Sequence, residues 1–331
     1  MQRTNTMNTT AETITPDEFD GLRAEVRAVM AAENLSQKAV SDESGIPYGT
    51  LTAWMGGTYK GRVADKAADV QRWLETRREN SRVRSTIPDA PPFVATPTAN
   101  AILGICSFAQ AAPDFAVIVG GAGLGKTTAL EEYKRRSSNV FLATMEPCLG
   151  PVNKMLGELA DVMGLDERQP ARVSRVITKQ LRGTKSLLIV DEAQHLSTQS
   201  LDQIRTFQDK AGCGVVVAGN EAVLAKLQGN SKVPDPRFAQ LYSRGGMRTV
   251  LSKPKGEDID CLIRAWGIDT ATKEAGMLRT IARKSAALRG MTKAMRLASM
   301  MASTTGETLS VQHIRAAWSQ LSAEEIGAAT A

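Results

Sequence analysis

Four short apolar runs stand out along this chain: 115–119 (FAVIV), 140–143 (VFLA), 187–190 (LLIV) and 215–218 (VVVA). None alternates with polar residues. Runs of this kind read as strands buried on both faces, as in a parallel sheet covered by helices. Strands are expected over 115–119, 140–144, 186–190, 214–218 and 248–251. Helical periodicity fills the intervals, so strands and helices alternate. From Lys255 onward the pattern is helical only, near 256–266, 273–285, 290–304 and 310–321. Residues 17–79 also read as helical throughout. No internal repeat is visible.

The pattern divides the chain. Residues 1–16 are polar and Thr-rich, a flexible tail. Residues 17–79 form a helical domain, and 80–97 a linker stiffened by Pro88, Pro91, Pro92 and Pro97. An α/β domain follows over 98–252, then a helical domain over 253–325. Within the first domain, Ser36 can cap a helix running to about Ser44. Gly45 makes a turn, Ile46 is a buried plug, and a second helix runs from about Tyr48 to Met55. Ala39, Val40, Ile46 and Leu51 take core positions. This spacing resembles the helix-turn-helix of phage-repressor-like DNA-binding domains. The second helix, YGTLTAW, carries no Arg, Lys, Asn or Gln, the residues that best read base edges. The main DNA anchor is therefore expected elsewhere; the rival is an operator-reading domain.

The richest chemistry follows the first strand. Gly120, Gly121, Ala122, Gly123, Leu124, Gly125, Lys126, Thr127 and Thr128 make a phosphate-binding loop of the G-x-x-x-x-G-K-T type. Glycines let backbone N–H groups point at a triphosphate with no Cβ in the way. Lys126 can reach the β- and γ-phosphates, Thr127 can hold Mg²⁺, and the following helix aims its positive end at the same anion. The strand at 186–190 ends in Asp191 and Glu192, where α/β sheets place ligands. Asp191 would help hold Mg²⁺ and Glu192 would polarise the attacking water. ATP and Mg²⁺ are the implied ligands.

Three further positions are similar to parts of AAA+ ATPases. Asn220, after the 214–218 strand, takes the position of a γ-phosphate sensor. Arg244, or Arg237, takes that of an arginine finger reaching a neighbouring subunit. Arg289, in Ala286-Ala287-Leu288-Arg289, takes that of the second sensor, with Ala286 in place of glycine.

Composition narrows the class. The chain has 331 residues, 42% of them hydrophobic, enough for two or three domains with ample core. No run approaches the ~20 apolar residues of a membrane span. The first residues lack the apolar core of a signal peptide. Cys106, Cys148, Cys213 and Cys261 form no C-x-x-C pair, so neither a zinc site nor a disulfide framework is expected. A reducing cytoplasm fits. Net charge is +6, a mild excess that permits nucleic-acid binding. Its placement is more telling. Arg168, Arg172, Arg175, Lys179, Arg182 and Lys185 lie in a stretch, 168–190, that contains no acid. Arg168, Arg172, Arg175 and Lys179 are candidate contacts to duplex phosphates. His195 reads as a helix-start residue with a structural hydrogen bond. Trp54, Trp73, Trp266 and Trp318 read as core.

These motifs together resemble the Mu B family of AAA+ transposition ATPases over nearly the whole length. The resemblance includes the repressor-like domain, Trp73-Leu74-Glu75, PPFV at 91–94, the phosphate-binding loop, IVDEAQH at 189–195, FAQLYSR at 238–244 and ALR at 287–289. It departs at Ala122 and Leu124 inside the loop, and its basic stretch is less dense. The resemblance implies a P-loop AAA+ core with a parallel sheet, a helix-turn-helix domain before it and a helical lid after it. It implies ATP-dependent assembly into a helical filament on double-stranded DNA, without strong sequence preference. It also implies delivery of that DNA to a transposase, with stimulation of strand transfer, in the cytoplasm of a bacterial host by a phage or prophage product. Two other readings share parts of the pattern: a helicase loader, and a repressor-like regulator whose nucleotide site is a sensor. Glu192 argues against the second, because a sensor needs no hydrolytic carboxylate.

Overall fold

The structure, a computed structural model, describes residues 16–228 and 246–322. Most of the expected tail, and both Arg237 and Arg244, lie outside the described residues. The chain divides into two compact units between Ile87 and Pro88.

The first unit contains α1 (Pro16–Ala32), α2 (Gln37–Ser44), α3 (Tyr48–Met55) and α4 (Val63–Thr86). Ser36 caps α2 by accepting from the Ala39 N–H at 3.1 Å. Gly45 ends it in the left-handed region, φ 70°, where glycine carries no Cβ penalty. Ile46, Leu51 and Trp54 pack with Val26, Val70 and Leu74 into one core. Arg23 and Arg27 donate to the carbonyls of Trp54 and Met55, both at 2.8 Å, tying α1 to the end of α3. The exposed face of α3 presents Tyr48, Gly49 and Thr52. The linker expected over 80–97 is shorter than that. Residues 80–86 hold no Gly or Pro, and α4 continues through them to Thr86, just before Pro88.

The second unit is built on a five-stranded sheet in the order β2-β3-β4-β1-β5, parallel throughout. The strands are β1 (Phe115–Gly120), β2 (Val140–Thr144), β3 (Leu187–Asp191), β4 (Gly214–Gly219) and β5 (Arg248–Leu251). Their alternation divides two cores. Phe115, Val117, Leu188, Val190, Val215 and Val217 face one layer, under α7 (Val152–Val162), α8 (Pro170–Leu181), α9 (Thr198–Ala211) and α10 (Glu221–Gln228). Ala116, Ile118, Leu187, Ile189 and Val216 face the other, under α5 (Pro97–Ala111) and α6 (Lys126–Arg136). This two-sided burial is why the apolar runs show no alternation. Each fully buried Val, Leu or Ile contributes roughly 1.5–3 kcal/mol. No helix among the described residues is long and apolar enough to cross a membrane.

A helical lid completes the unit: α11 (Gly256–Ala265), α12 (Lys273–Ala282), α13 (Ala287–Thr305) and α14 (Val311–Ser322). It has its own core, including Ile263, Leu278, Met291, Met295 and Trp318. α13 starts at Ala287, so Ala287-Leu288-Arg289 opens the helix, a turn ahead of the range near 290–304, with Arg289 in its first turn. Trp54, Trp73 and Trp318 are buried as expected, and Trp266 packs partly buried against the lid core. One buried carboxylate joins lid to sheet domain. Asp258 of α11, 1% exposed, accepts from the Thr98 N–H at 2.9 Å, the Thr98 hydroxyl at 2.6 Å and the Lys255 N–H at 3.0 Å. Hydrogen bonds to buried charged groups contribute about 1.5–3 kcal/mol each. Thr98→Val keeps the shape and removes one of them. It is expected to destabilise the second unit by about 1.5–3 kcal/mol, read as a lower urea midpoint at unchanged slope.

Candidate active site

The C-terminal ends of β1, β3 and β4 open onto one edge of the sheet, and the expected nucleotide residues gather there. After β1 the chain turns through Gly123 (φ 78°) and Gly125 (φ 84°) into α6. Both backbones are left-handed, so glycine is needed there. Lys126 begins α6 and is 9% exposed. Its Nζ donates to the carbonyls of Gly120 and Gly121, each at 2.8 Å. Burial is the main cause that holds the ammonium below the usual lysine range; Asp191 and Glu192 pull it the other way, and Arg289 pushes it further down. A buried cation held by carbonyl dipoles, behind a loop of bare backbone, suits a polyphosphate.

Asp191 ends β3 and is fully buried. The Thr127 hydroxyl donates to its Oδ2 at 2.6 Å, and the Glu192 N–H donates to its Oδ1 at 2.8 Å. Two hard oxygen donors side by side suit Mg²⁺, which binds one or two side-chain oxygens and completes its shell with water and phosphate. Glu192 itself sits in the left-handed region, φ 53°, and opens a 3-10 turn over Ala193–His195.

The lid closes over the loop. A Cβ on Gly123 would lie 2.5 Å from the Ala286 carbonyl oxygen and 3.2 Å from Arg289 Cβ. Ala287 follows in a left-handed conformation, φ 49°, and turns the chain into α13. The resulting cleft, about 430 Å³, is lined by the loop from Ala122 to Thr128, by Glu192, and by Leu288, Arg289 and Thr292 of the lid. Two other surface grooves, about 610 and 660 Å³, lie elsewhere and include none of the loop residues.

An AAA domain model matches residues 110–227, and the model of the Mu B transposition protein, C terminal, matches residues 243–321. Over 302 residues the chain is 33% identical to the ATP-dependent target DNA activator B of Escherichia phage Mu, covering 91% of this chain and 95% of that protein. It is 32% identical over 266 residues to the Mu-like prophage FluMu DNA transposition protein B of Haemophilus influenzae, covering 80% and 91%. The chain belongs to the Mu B family of transposition proteins. Among solved structures, the Aeropyrum pernix ORC2 protein in its ADP form aligns with a TM-score of 0.48 at 18% identity over 67% of this chain and 66% of that one, too distant to add to the assignment.

This Mu B family member is an AAA+ ATPase, with its sheet, loop and lid in one unit. Lys126, Thr127, Asp191, Glu192 and Arg289 come together as expected from sequence. Asn220 does not line the cleft. Its Oδ1 accepts from the Ala222 N–H at 2.9 Å at the start of α10, while its Nδ2 makes no hydrogen bond among the described residues. The His195 ring lacks, among the described residues, the structural hydrogen bond expected of it, because the 3-10 turn points it to a surface groove with Gly150 and Lys226. Arg172, Arg175 and Lys179 are exposed on α8, opposite buried Val173, Ile177 and Leu181. Arg168 is not free of acids: it pairs with Asp161, outside the basic stretch, at 2.5 Å.

Two parts of the site are absent from the sequence reading. Segment 90–96, there only a linker, supplies a wall of the cleft through Pro92, Phe93 and Val94. Arg136 stacks on the Phe93 ring at 5.2 Å. The signal available was an apolar pair inside a Pro-rich stretch. The other part is Gln194, which donates to the Glu192 carboxylate.

Gly123→Ala places a Cβ against Ala286 and strains a left-handed backbone, a cost of roughly 1–2 kcal/mol before the clash. The expected result is roughly a tenfold or greater loss of ATP affinity, read with a fluorescent nucleotide.

Proposed function

We propose that this chain is a Mg²⁺- and ATP-dependent DNA-binding ATPase that assembles on target DNA, presents it to a transposase and stimulates strand transfer. Its relatives carry the names ATP-dependent target DNA activator B and DNA transposition protein B. The observation that carries the reading is the cleft itself. It combines a phosphate cradle, a hard-oxygen pair and a separate carboxylate, the set needed to hydrolyse a nucleotide and not merely to bind one.

Lys126 leaves its carbonyl partners to oppose the β- and γ-phosphates. Thr127 and Asp191 hold Mg²⁺, which when bound neutralises phosphate charge. Glu192 accepts the proton of the attacking water. Asn220, through its Nδ2, orients that water or the γ-phosphate. Arg289 adds charge from the lid, so phosphate binding is felt by α13. Arg244, or else Arg237, completes the site of the next subunit in the assembly, which makes hydrolysis depend on assembly. The product acts in the cytoplasm of a bacterial host.

Exposed Arg172, Arg175 and Lys179 form a stripe on α8 that meets duplex phosphates, with Arg168 beside it. Contacts of this kind carry no sequence preference. The face of α3, with Tyr48, Gly49 and Thr52, lacks base-reading side chains, which favours this reading over an operator-binding regulator. The N-terminal unit then adds auxiliary DNA contact or partner docking.

Glu192→Gln is expected to bind ATP like the parent and to turn over slowly. Electron microscopy with ATP and duplex DNA should show filaments that persist where the parent's disassemble. Turnover at the parental rate removes Glu192 from this role, and a closed ring in place of a filament favours a helicase loader.

Arg172→Ala with Arg175→Ala is expected to flatten the log–log salt dependence of DNA binding by roughly 2, about 0.9 for each phosphate no longer neutralised. An unchanged slope would make the α8 stripe a solvated face only.

A further inference from the structure

The geometry points to Gln194, braced against the Asn220 backbone, as the positioning residue that orients the Glu192 carboxylate for hydrolysis. The inference rests on Glu192 being the base of the reading above.

Gln194 is engaged at both ends of its amide. Its Nε2 donates to Glu192 Oε2. Its Oε1 accepts from the Asn220 N–H at 3.2 Å. One donor and one acceptor used in opposite directions fix which way the amide faces. The side chain thus bridges the end of β3 to the end of β4, joining the Glu192 carboxylate to the backbone of Asn220.

Three other features hold Gln194 in place. Gly219, the last residue of β4, leaves room for it. A Cβ there would lie 2.6 Å from Gln194 Oε1 and 2.6 Å from Val223 Cγ2. Lys226, on α10, donates through Nζ to the Gln194 carbonyl at 2.5 Å and to the Leu196 carbonyl at 2.8 Å, which pins the turn. Glu192 is left-handed at φ 53°, an uncommon conformation for a side chain of its size. Its N–H bond to Asp191 Oδ1 and the His195 N–H bond to its carbonyl at 3.1 Å hold it there. With its backbone fixed, the carboxylate still has free χ angles, and Gln194 is the side chain that limits them. Glu192 lines the cleft while making this bond. Gln194 therefore orients the carboxylate toward the nucleotide.

The test is a double-substitution cycle on the full chain. Gln194→Met keeps length and bulk and removes both hydrogen bonds. Gln194→Glu can still accept from Asn220 but cannot donate to Glu192. Turnover is measured with saturating ATP and DNA, together with KM for ATP, binding of a fluorescent ATP analogue and melting temperature. Both variants are expected to lose about 10- to 100-fold in kcat, the scale of a misplaced catalytic group, with KM and nucleotide affinity within about twofold of the parent. In the Glu192→Gln background, Gln194→Met is expected to cause no further loss in single-turnover rate, because the group it positions is gone. A parental kcat in Gln194→Met, a raised kcat, or losses that multiply in the double variant would each overturn the inference. So would Gln194→Glu with parental kcat, since only the Asn220 side would then matter. Glu192→Gln turning over like the parent takes down the reading beneath it as well. A slow Glu192→Gln beside a normal Gln194→Met takes down this inference alone.

Discussion

Thr127 donates to Asp191 across a strand that separates their parent strands. The phosphate-binding loop follows β1 and the carboxylate ends β3, with β4 lying between them in the sheet. The 2.6 Å bond exists because all three strands are parallel and end at one edge. If one ran the other way, its loop would leave from the far side of the sheet. The site therefore depends on burial of both sheet faces, which selects parallel pairing. It also depends on the narrow tip of β4. Gly219 has no side chain, so the turn after β3 can lean over β4 and place Gln194 against the Asn220 backbone.

Close backbone approach recurs where the lid meets the loop. Gly123 and the Ala286 carbonyl leave no room for a Cβ, and Arg289 follows on the next turn. A second attachment lies at Asp258 and Thr98, inside the protein and fully hydrogen-bonded. The lid is thus anchored at the start of α5 and touches the phosphate loop at the start of α13. A displaced loop must displace Ala286, because the contact is backbone on backbone and cannot be absorbed by a rotamer change.

The cations divide by role. Lys126 is buried and carbonyl-bound, and Arg289 lines the cleft. Arg172, Arg175 and Lys179 repeat at helical spacing on a solvent face of α8. In the N-terminal unit, by contrast, arginines are largely spent on structure. Arg23 and Arg27 bind the carbonyls ending α3, and Arg77 pairs with Glu33 and Glu43. Paired charges present little net field, so the two units differ in what they offer a polyanion, although both contain many basic residues.

Local patterning along the chain is enough to specify the strands, the phosphate-binding loop, the DE pair and the lid helices. Each is a local pattern: an apolar run buried on two faces, glycines at fixed offsets, or a 3.6-residue period. The sequence also pointed to Lys126, Thr127, Asp191 and Glu192, which meet because parallel strands send their following loops to one edge, but it placed Asn220 with them, and Asn220 does not line the cleft. It misplaced the end of α4, where only the absence of Gly and Pro told against a linker. It did not find Phe93 as a cleft wall or Gln194 as the partner of Glu192, nor the engagement of Arg168 by Asp161. Those depend on which segments lie side by side after folding. A glutamine two residues past a carboxylate has no pattern of its own. Its role appears only when the bare tip of β4 lets it reach Glu192 and Asn220 together, and that clearance is a property of packing in three dimensions.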